Sequence, residues 1–199
     1  VISLAGLTGN QRVMDAYCGI GTIGLIASRD AREVISVELN PDAVRDAVTN
    51  AKRNQIKNVS FYQNDAGAFM VSMAEKGEKA DVVFMDPPRA GSDEAFLSSV
   101  VTLSPKKVVY VSCNPETLAR DLRYLTKHGY KAEEAWGYDM FAWSEHVESI
   151  VLLSKLKSNK LKHINVELEM DELDLMAAES KAIYAEVKDY VSEAKRIES

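Results

Sequence analysis

A doubly wound α/β sheet, parallel except for an antiparallel C-terminal hairpin, is the fold class this sequence predicts. Three observations predict it. Five strand-like runs alternate with five runs of helical periodicity, a glycine-rich turn follows the first strand, and the last two strand-like runs follow one another without a helix between them. Successive βα units imply parallel pairing with right-handed crossovers. Two strands joined directly imply an antiparallel end.

In chain order the strand-like runs are Arg12–Cys18, Glu33–Leu39, Val59–Asn64, Asp81–Asp86 and Lys107–Cys113. Helical patterns near Thr22–Arg29, Pro41–Asn54, Ala66–Glu75, Asp93–Leu103 and Pro115–Lys127 separate them. The last of these carries Leu118, Leu122 and Leu125 at helical spacing, with Asn114 suited to the N-cap and Pro115 to the first helical position. Tyr130–Met140 and His146–Leu153 form the closing hairpin. The sheet domain is therefore expected over 1–153, running into its first strand soon after Val1, and an appendage over 154–199. That appendage is a lysine-rich linker, a strand at Ile164–Met170, and an amphipathic helix near Ala177–Ile197 with an apolar stripe of Ile183, Val187 and Val191. The stripe suits packing on its own domain better than a partner.

A chain of 199 residues with 46% hydrophobic content has room for one full domain and an appendage. It shows no signal peptide and no apolar run long enough to span a bilayer, so no membrane partner is expected. Its two cysteines, Cys18 and Cys113, lie in different loops without metal-ligand spacing. A reducing, cytoplasmic setting and no structural zinc or other metal are the expectations. The net charge of −6 is unevenly spread: four lysines and no acid in 154–163, ten acids against four bases in 164–199. A protein that is acidic overall gives no electrostatic case for RNA or DNA.

The first strand leads into Asp15-Ala-Tyr17-Cys18-Gly19-Ile-Gly21-Thr-Ile-Gly24, which contains G-x-G-x-x-G, and Glu38 closes the next strand. Glycines make a tight turn and the acid binds ribose hydroxyls, which fits a dinucleotide. S-adenosyl-L-methionine presents the same adenosine, so Gly19, Gly21 and Glu38 serve either ligand. Asp15 favours the second, because an acid suits the ammonium end of the amino acid and repels a pyrophosphate. Tyr17 can pack on the cofactor or in the core, Cys18 reads as a small hydrophobe, and Asp65 can accept from the adenine amine or serve its own loop.

Cys113 ends the fifth strand and faces a helix N-terminus, at the edge where open α/β sheets bind ligands. A helix dipole there favours thiolate over thiol; the alternative is a buried structural cysteine. Strand four ends in Asp86-Pro87-Pro88-Arg89-Ala-Gly91, and the two prolines stiffen the turn that holds Asp86. D-P-P followed by an aromatic marks methyltransferases acting on base amines, but here Arg89 follows. Glu148, in His146-Val147-Glu148, is an ordinary strand glutamate unless it meets Cys113.

A Rossmann-like sheet ending in a β-hairpin resembles class I methyltransferases. More specifically, Asp15-Ala-Tyr-Cys-Gly-Ile-Gly21, Asp86-Pro-Pro-Arg-Ala-Gly91, Ser112-Cys-Asn-Pro115 and His146-Val-Glu148 resemble, in order, the motifs of the RNA 5-methyluridine methyltransferase family. The resemblance spans nearly all of 1–153. It implies S-adenosyl-L-methionine as cofactor, Cys113 as nucleophile and Glu148 as general base, and it places Tyr17, Glu38 and Asp86 at the cofactor. It also implies an RNA substrate, ribosomal RNA being expected ahead of transfer RNA. Two departures are visible. Ala142 and Ser144 stand where the family has proline and threonine, and the family's RNA-binding barrel, central domain and glutamine-containing cofactor segment are not in these 199 residues. The expected object is a catalytic domain cut from a longer enzyme, with RNA held mainly by the other parts. The rival readings are a methyltransferase for small molecules or base amines, which would not require Cys113, a nicotinamide dehydrogenase, and a non-catalytic binding module.

Overall fold

Parallel pairing governs the architecture of the computed structural model, which describes residues 1–140, 143–144 and 147–156. The strands are β1 (Arg12–Ala16), β2 (Glu33–Glu38), β3 (Val59–Gln63), β4 (Val82–Met85), β5 (Lys107–Ser112), β6 (Tyr130–Tyr138) and β7 (Glu148–Lys155). The helices are α1 (Ile2–Ala5), α2 (Thr22–Ala27), α3 (Pro41–Arg53), α4 (Ala66–Glu75), α5 (Glu94–Leu103) and α6 (Pro115–Lys127). The sheet order is β3-β2-β1-β4-β5-β7-β6. β1 to β5 pair in parallel, and β7 lies antiparallel between β5 and β6. The chain reverses its winding between β1 and β4, the switch point at which such sheets bind ligands.

The central strands are buried on both faces, as their near-continuous apolar runs require. Under α4, α5 and α6 one core packs Met14, Met70, Met85, Phe96, Tyr110, Leu125 and Leu153. The opposite face packs Val13, Val34, Phe84, Val109 and Leu152 with Ala5 and Ala27. Four helices begin with a capping side chain at a strand-to-helix turn. Asn40, Asp65, Asp93 and Asn114 accept from the backbone N–H of Asp42, Ala68, Phe96 and Glu116. Pro41 and Pro115 occupy the first turn of α3 and α6, where a missing N–H costs nothing.

The first six strands end one or two residues before the sequence reading has them. β1 stops at Ala16 because Tyr17 turns to a positive φ of 63° and starts the glycine turn. A single helical turn, α1, precedes β1 where the chain was expected to run soon into a strand, and Gly6 ends it in the left-handed region. β6 carries an irregularity between Ala132 and Glu134. β7 runs to Lys155, two residues into the expected linker. The strand and helix expected at 164–170 and 177–197 lie outside the described residues, as does His146. Among the described residues no helix is long and apolar enough to cross a membrane.

Gly24 sits in α2 directly over β1. A Cβ there would lie 2.7 Å from Asp15 Oδ2 and 2.7 Å from Ser36 Oγ. Gly24→Ala should therefore overpack the seam and cost about 1–3 kcal/mol. A lowered urea midpoint at unchanged slope would be the signature, and a midpoint equal to the parent's would contradict it.

Candidate active site

The glycine turn is built on backbone conformation and on two carboxylates beneath and beside it. Gly19 and Gly21 have φ of 53° and 86°, a region where a side chain is strained. A Cβ on Gly21 would also press on Phe61, Ala47 and Leu25. Cys18 N–H donates to Val37 O and Gly21 N–H to Cys18 O, which folds the turn back over β2. Glu38 accepts from Gly19 N–H at 2.9 Å and from Asn40 N–H at 2.8 Å, so it fixes the turn across the β1–β2 boundary.

Asp15 does something other than the sequence reading expected. It is 1% exposed and accepts from Gly24 N–H at 2.8 Å. Direct contact with a ligand ammonium is therefore not its task; it anchors α2 under the turn. Burial, with the negative charges of Asp86 and Glu38 adding to it, pushes its carboxyl up to about 7. Cys18 is buried, and burial with the charges of Asp15 and Glu38 pushes its thiol up to about 12. A thiol so held is inert, in agreement with its reading as a small hydrophobe.

Asp86, Cys113 and Glu148 occupy the same edge on three successive strands of the sheet. Asp86 follows β4 and Cys113 follows β5; Glu148 opens β7, which starts where β5 ends because the two are antiparallel. Ser112 pairs with Ser149, so continuing that register by one position sets Cys113 opposite Glu148. Cys113 is half-buried immediately before the N-cap of α6. Asp86 lies at the exposed rim, yet the protein around it and, secondarily, the charge of Glu148 push its carboxyl up to about 6. The hairpin, whose connection 139–147 carries no glycine or proline, is thus what brings Glu148 to the strand ends.

Tyr17 leans its ring on Phe96, with centroids 5.2 Å apart, and burial raises its phenol. Asp93 and Asp65 act on the same phenol. Asp65 is exposed and spends Oδ1 on the α4 cap. A shallow groove of about 200 Å³ between α2 and α3, lined by Ile20, Ile26, Asn50 and Ile56 among others, shares none of the expected site residues. Sequence reasoning missed Asp121, a carboxylate with no exposed surface that ties the turn after Asp86 to α6. Its signal was available: Asp121 falls on the same helical stripe as Leu118 and Leu125.

A family model described as tRNA (uracil-5-)-methyltransferase matches residues 5–156. The chain belongs to that family. An uncharacterized RNA methyltransferase of Halalkalibacterium halodurans is 47% identical over 152 residues, covering 76% of this chain and 33% of that protein. One from Enterococcus faecalis is 47% identical over 151 residues, with the same coverage. The chain thus spans about a third of the length of the curated relatives it matches. Among solved structures, the tRNA (uracil-54, C5)-methyltransferase of Pyrococcus abyssi, in complex with S-adenosyl-L-homocysteine, is 30% identical. That match has a TM-score of 0.64 over 76% of this chain and 36% of that one. A ribosomal protein L11 methylase from Lactobacillus delbrueckii, 15% identical with a TM-score of 0.60 over 78% of this chain and 75% of that one, shares the fold alone.

The fold is therefore that of the Rossmann-like class I methyltransferases, and the uracil-5-methyltransferase domain takes S-adenosyl-L-methionine as its cofactor. The residues present fit that ligand. Glu38 ends β2 beside the glycine turn, where ribose hydroxyls bind in this fold. The charges of Asp86 and Glu38 bear on buried Asp15, and that of Glu148 bears on Asp86. An acidic edge of this kind repels a pyrophosphate and attracts a sulfonium and an ammonium.

This has a signed consequence. Asp86 is protonated below its raised pKa of about 6, and a cationic ligand favours the ionised carboxylate. Affinity for S-adenosylmethionine should therefore climb as pH rises through about 6. S-adenosylhomocysteine, whose sulfur is neutral, should climb less, and Asp86→Asn should flatten the rise. Calorimetric titration at several pH values measures this, and a flat wild-type profile for the methyl donor would contradict it.

Proposed function

We propose that this chain is the catalytic domain of an enzyme that methylates C5 of uridine in RNA through a transient bond between Cys113 Sγ and C6. The observation that carries the reading is the register of β5 and β7, which ends with Ser112 opposite Ser149 and so brings the half-buried thiol of Cys113 and the carboxylate of Glu148 to one edge beside Asp86. A methyltransferase acting on an amine needs no thiol at that position, because its nucleophile already has a lone pair.

The chemistry requires such a pair of groups. C5 of uracil is a poor nucleophile. Addition of the Cys113 thiolate forms an S–C6 bond and moves the C5–C6 π electrons toward C5 and O4, giving an enolate. S-adenosylmethionine supplies, when bound, an electrophilic methyl group that C5 can take up. Glu148 then removes the C5 proton, the C5–C6 double bond re-forms, and the S–C6 bond breaks to regenerate the thiolate. Tyr17, Glu38 and Asp86 would hold the cofactor, with the glycine turn at Gly19 and Gly21 against it and Asp65 near its adenine. A uridine stacked in RNA must leave the stack to reach Cys113.

Because the chain is acidic, RNA affinity in this reading resides mainly in other parts of the longer enzyme. The name of the matching family specifies transfer RNA, whereas ribosomal RNA is the substrate expected from the motifs. Methylation assays on both substrates, undermodified in vivo, separate the two.

The test of mechanism uses the longer enzyme. Cys113→Ala should abolish methyl transfer and any covalent RNA complex. Glu148→Gln should still add to C6 and methylate C5 but release product about 10²–10⁴-fold more slowly, the usual range for a lost general base. Methylated RNA should then remain on the protein as a denaturation-resistant band on a gel. Normal turnover by Glu148→Gln, or activity in Cys113→Ala, would refute the assignment.

A further inference from the structure

Asp121 lies on the buried face of α6, with no exposed surface, and is not part of any motif that the reaction uses. A carboxylate withdrawn from water is costly unless its lone pairs are met. Here they are. Oδ2 accepts from Ser92 N–H at 2.8 Å and from the Tyr110 hydroxyl at 2.6 Å. Oδ1 accepts from Arg120 Nε at 2.8 Å and forms an ion pair with the same guanidinium, 2.8 Å from Nη2. Burial and the neighbouring carboxylate both raise the Tyr110 phenol, so it remains a donor. Apolar residues of similar volume often replace such buried networks without loss of stability. Stability alone is therefore a weak reason for this one, and its connections suggest another.

The Ser92 contact joins the turn after Asp86 to the helix after Cys113, and further bonds reinforce that junction. Arg120 Nη2 donates on to Ala90 O at 3.1 Å and Ser92 O at 2.8 Å. At the start of α6, Asn114 Nδ2 and Thr117 Oγ1 donate to Arg89 O at 3.1 and 3.2 Å. Gly91 packs against the knot at a φ of 73°, and a Cβ there would lie 2.6 Å from Arg120 Nη2 and 2.8 Å from Asp121 Oδ2. Tyr110, on β5 three residues before Cys113, completes the connection.

We propose that Asp121 is a positioning residue: with Arg120 and Tyr110 it locks the Asp86 turn onto α6, so that the cofactor carboxylate and the Cys113 thiol keep a fixed separation. This rests on the reading of Cys113 as nucleophile and adds a residue that touches neither substrate nor cofactor. A misplacement of about 1 Å at a reacting centre can cost about 10²-fold in rate. The knot therefore acts on the chemical step more than on RNA binding.

The test compares wild type, Asp121→Asn, Gly91→Ala and the double variant in the longer enzyme, each checked for folding by circular dichroism. Covalent trapping of RNA containing 5-fluorouridine should slow by about tenfold to a hundredfold at saturating RNA in each single variant, with the apparent KM for RNA unchanged. S-adenosylhomocysteine should bind about tenfold more weakly, the scale of one charge-assisted hydrogen bond. The double variant should be no slower than the slower single, because both substitutions break one contact. Trapping rates within twofold of wild type in folded variants, or multiplicative losses in the double, would overturn the proposal. Gly91→Ala leaves Asp121 and its donors chemically intact and carries the same prediction alone, so failure of Asp121→Asn to fold would not shelter it. If wild type itself trapped no RNA, the reading of Cys113 would fall, while the cofactor titrations would still test the lock.

Discussion

Three carboxylates at or near the strand ends each accept a hydrogen bond from the backbone of a neighbouring turn, and the ligand edge takes its shape from them. Asp15 holds Gly24 at the head of α2, Glu38 holds Gly19, and Asp121 holds Ser92. Parallel pairing brings the ends of β1, β2, β4 and β5 to one side of the sheet, but it does not fix how the turns beyond them run. A carboxylate accepting from a backbone N–H does fix this, because the donor's direction is set by the main chain. Gly24 and Gly91 follow from the same arrangement, since each lies where a side chain would strike one of these carboxylates.

The arrangement has an electrostatic consequence that selects the ligand. Burial and, secondarily, the charges of neighbouring carboxylates along the edge raise Asp15 and Asp86. Such an edge is poorly suited to phosphates and well suited to a ligand with cationic centres beside an adenosine. The glycine turn alone does not distinguish a dinucleotide from S-adenosylmethionine. The acids around it favour the latter, consistent with the family to which residues 5–156 belong.

The alternation of apolar runs and helical stripes made the order of all seven strands along the chain, and the helices from α2 onward, legible, because each is long enough to bury a periodic face. Ends were less legible: Tyr17 looks like strand in sequence but adopts φ 63°, and a turn conformation leaves no periodic trace. α1 is a single turn, too short to carry a helical stripe. At the site, Cys113-Asn114-Pro115 declared its helix start through the cap and the proline, and the structure has that cap. The proximity of Cys113 and Glu148 was expected from resemblance; in physical terms it comes from antiparallel register, which a sequence does not display. Asp15 was visible as an acid but its direction was not, and it turned inward to α2. Asp121 was visible as an acid on an apolar stripe, and only its donors from two other segments reveal what it does.

In the proposed mechanism Cys113 Sγ is the nucleophile at this edge, and Cys18, though it lies in the glycine turn, is not. Peptide mapping by mass spectrometry tests it most directly, after the longer enzyme has been incubated with S-adenosylmethionine and RNA containing 5-fluorouridine, whose C5 carries no proton for Glu148 to remove. The account predicts a methylated fluoropyrimidine nucleotide attached to the peptide containing Cys113 and none on the peptide containing Cys18. An unmodified Cys113, or an adduct on Cys18, would contradict it.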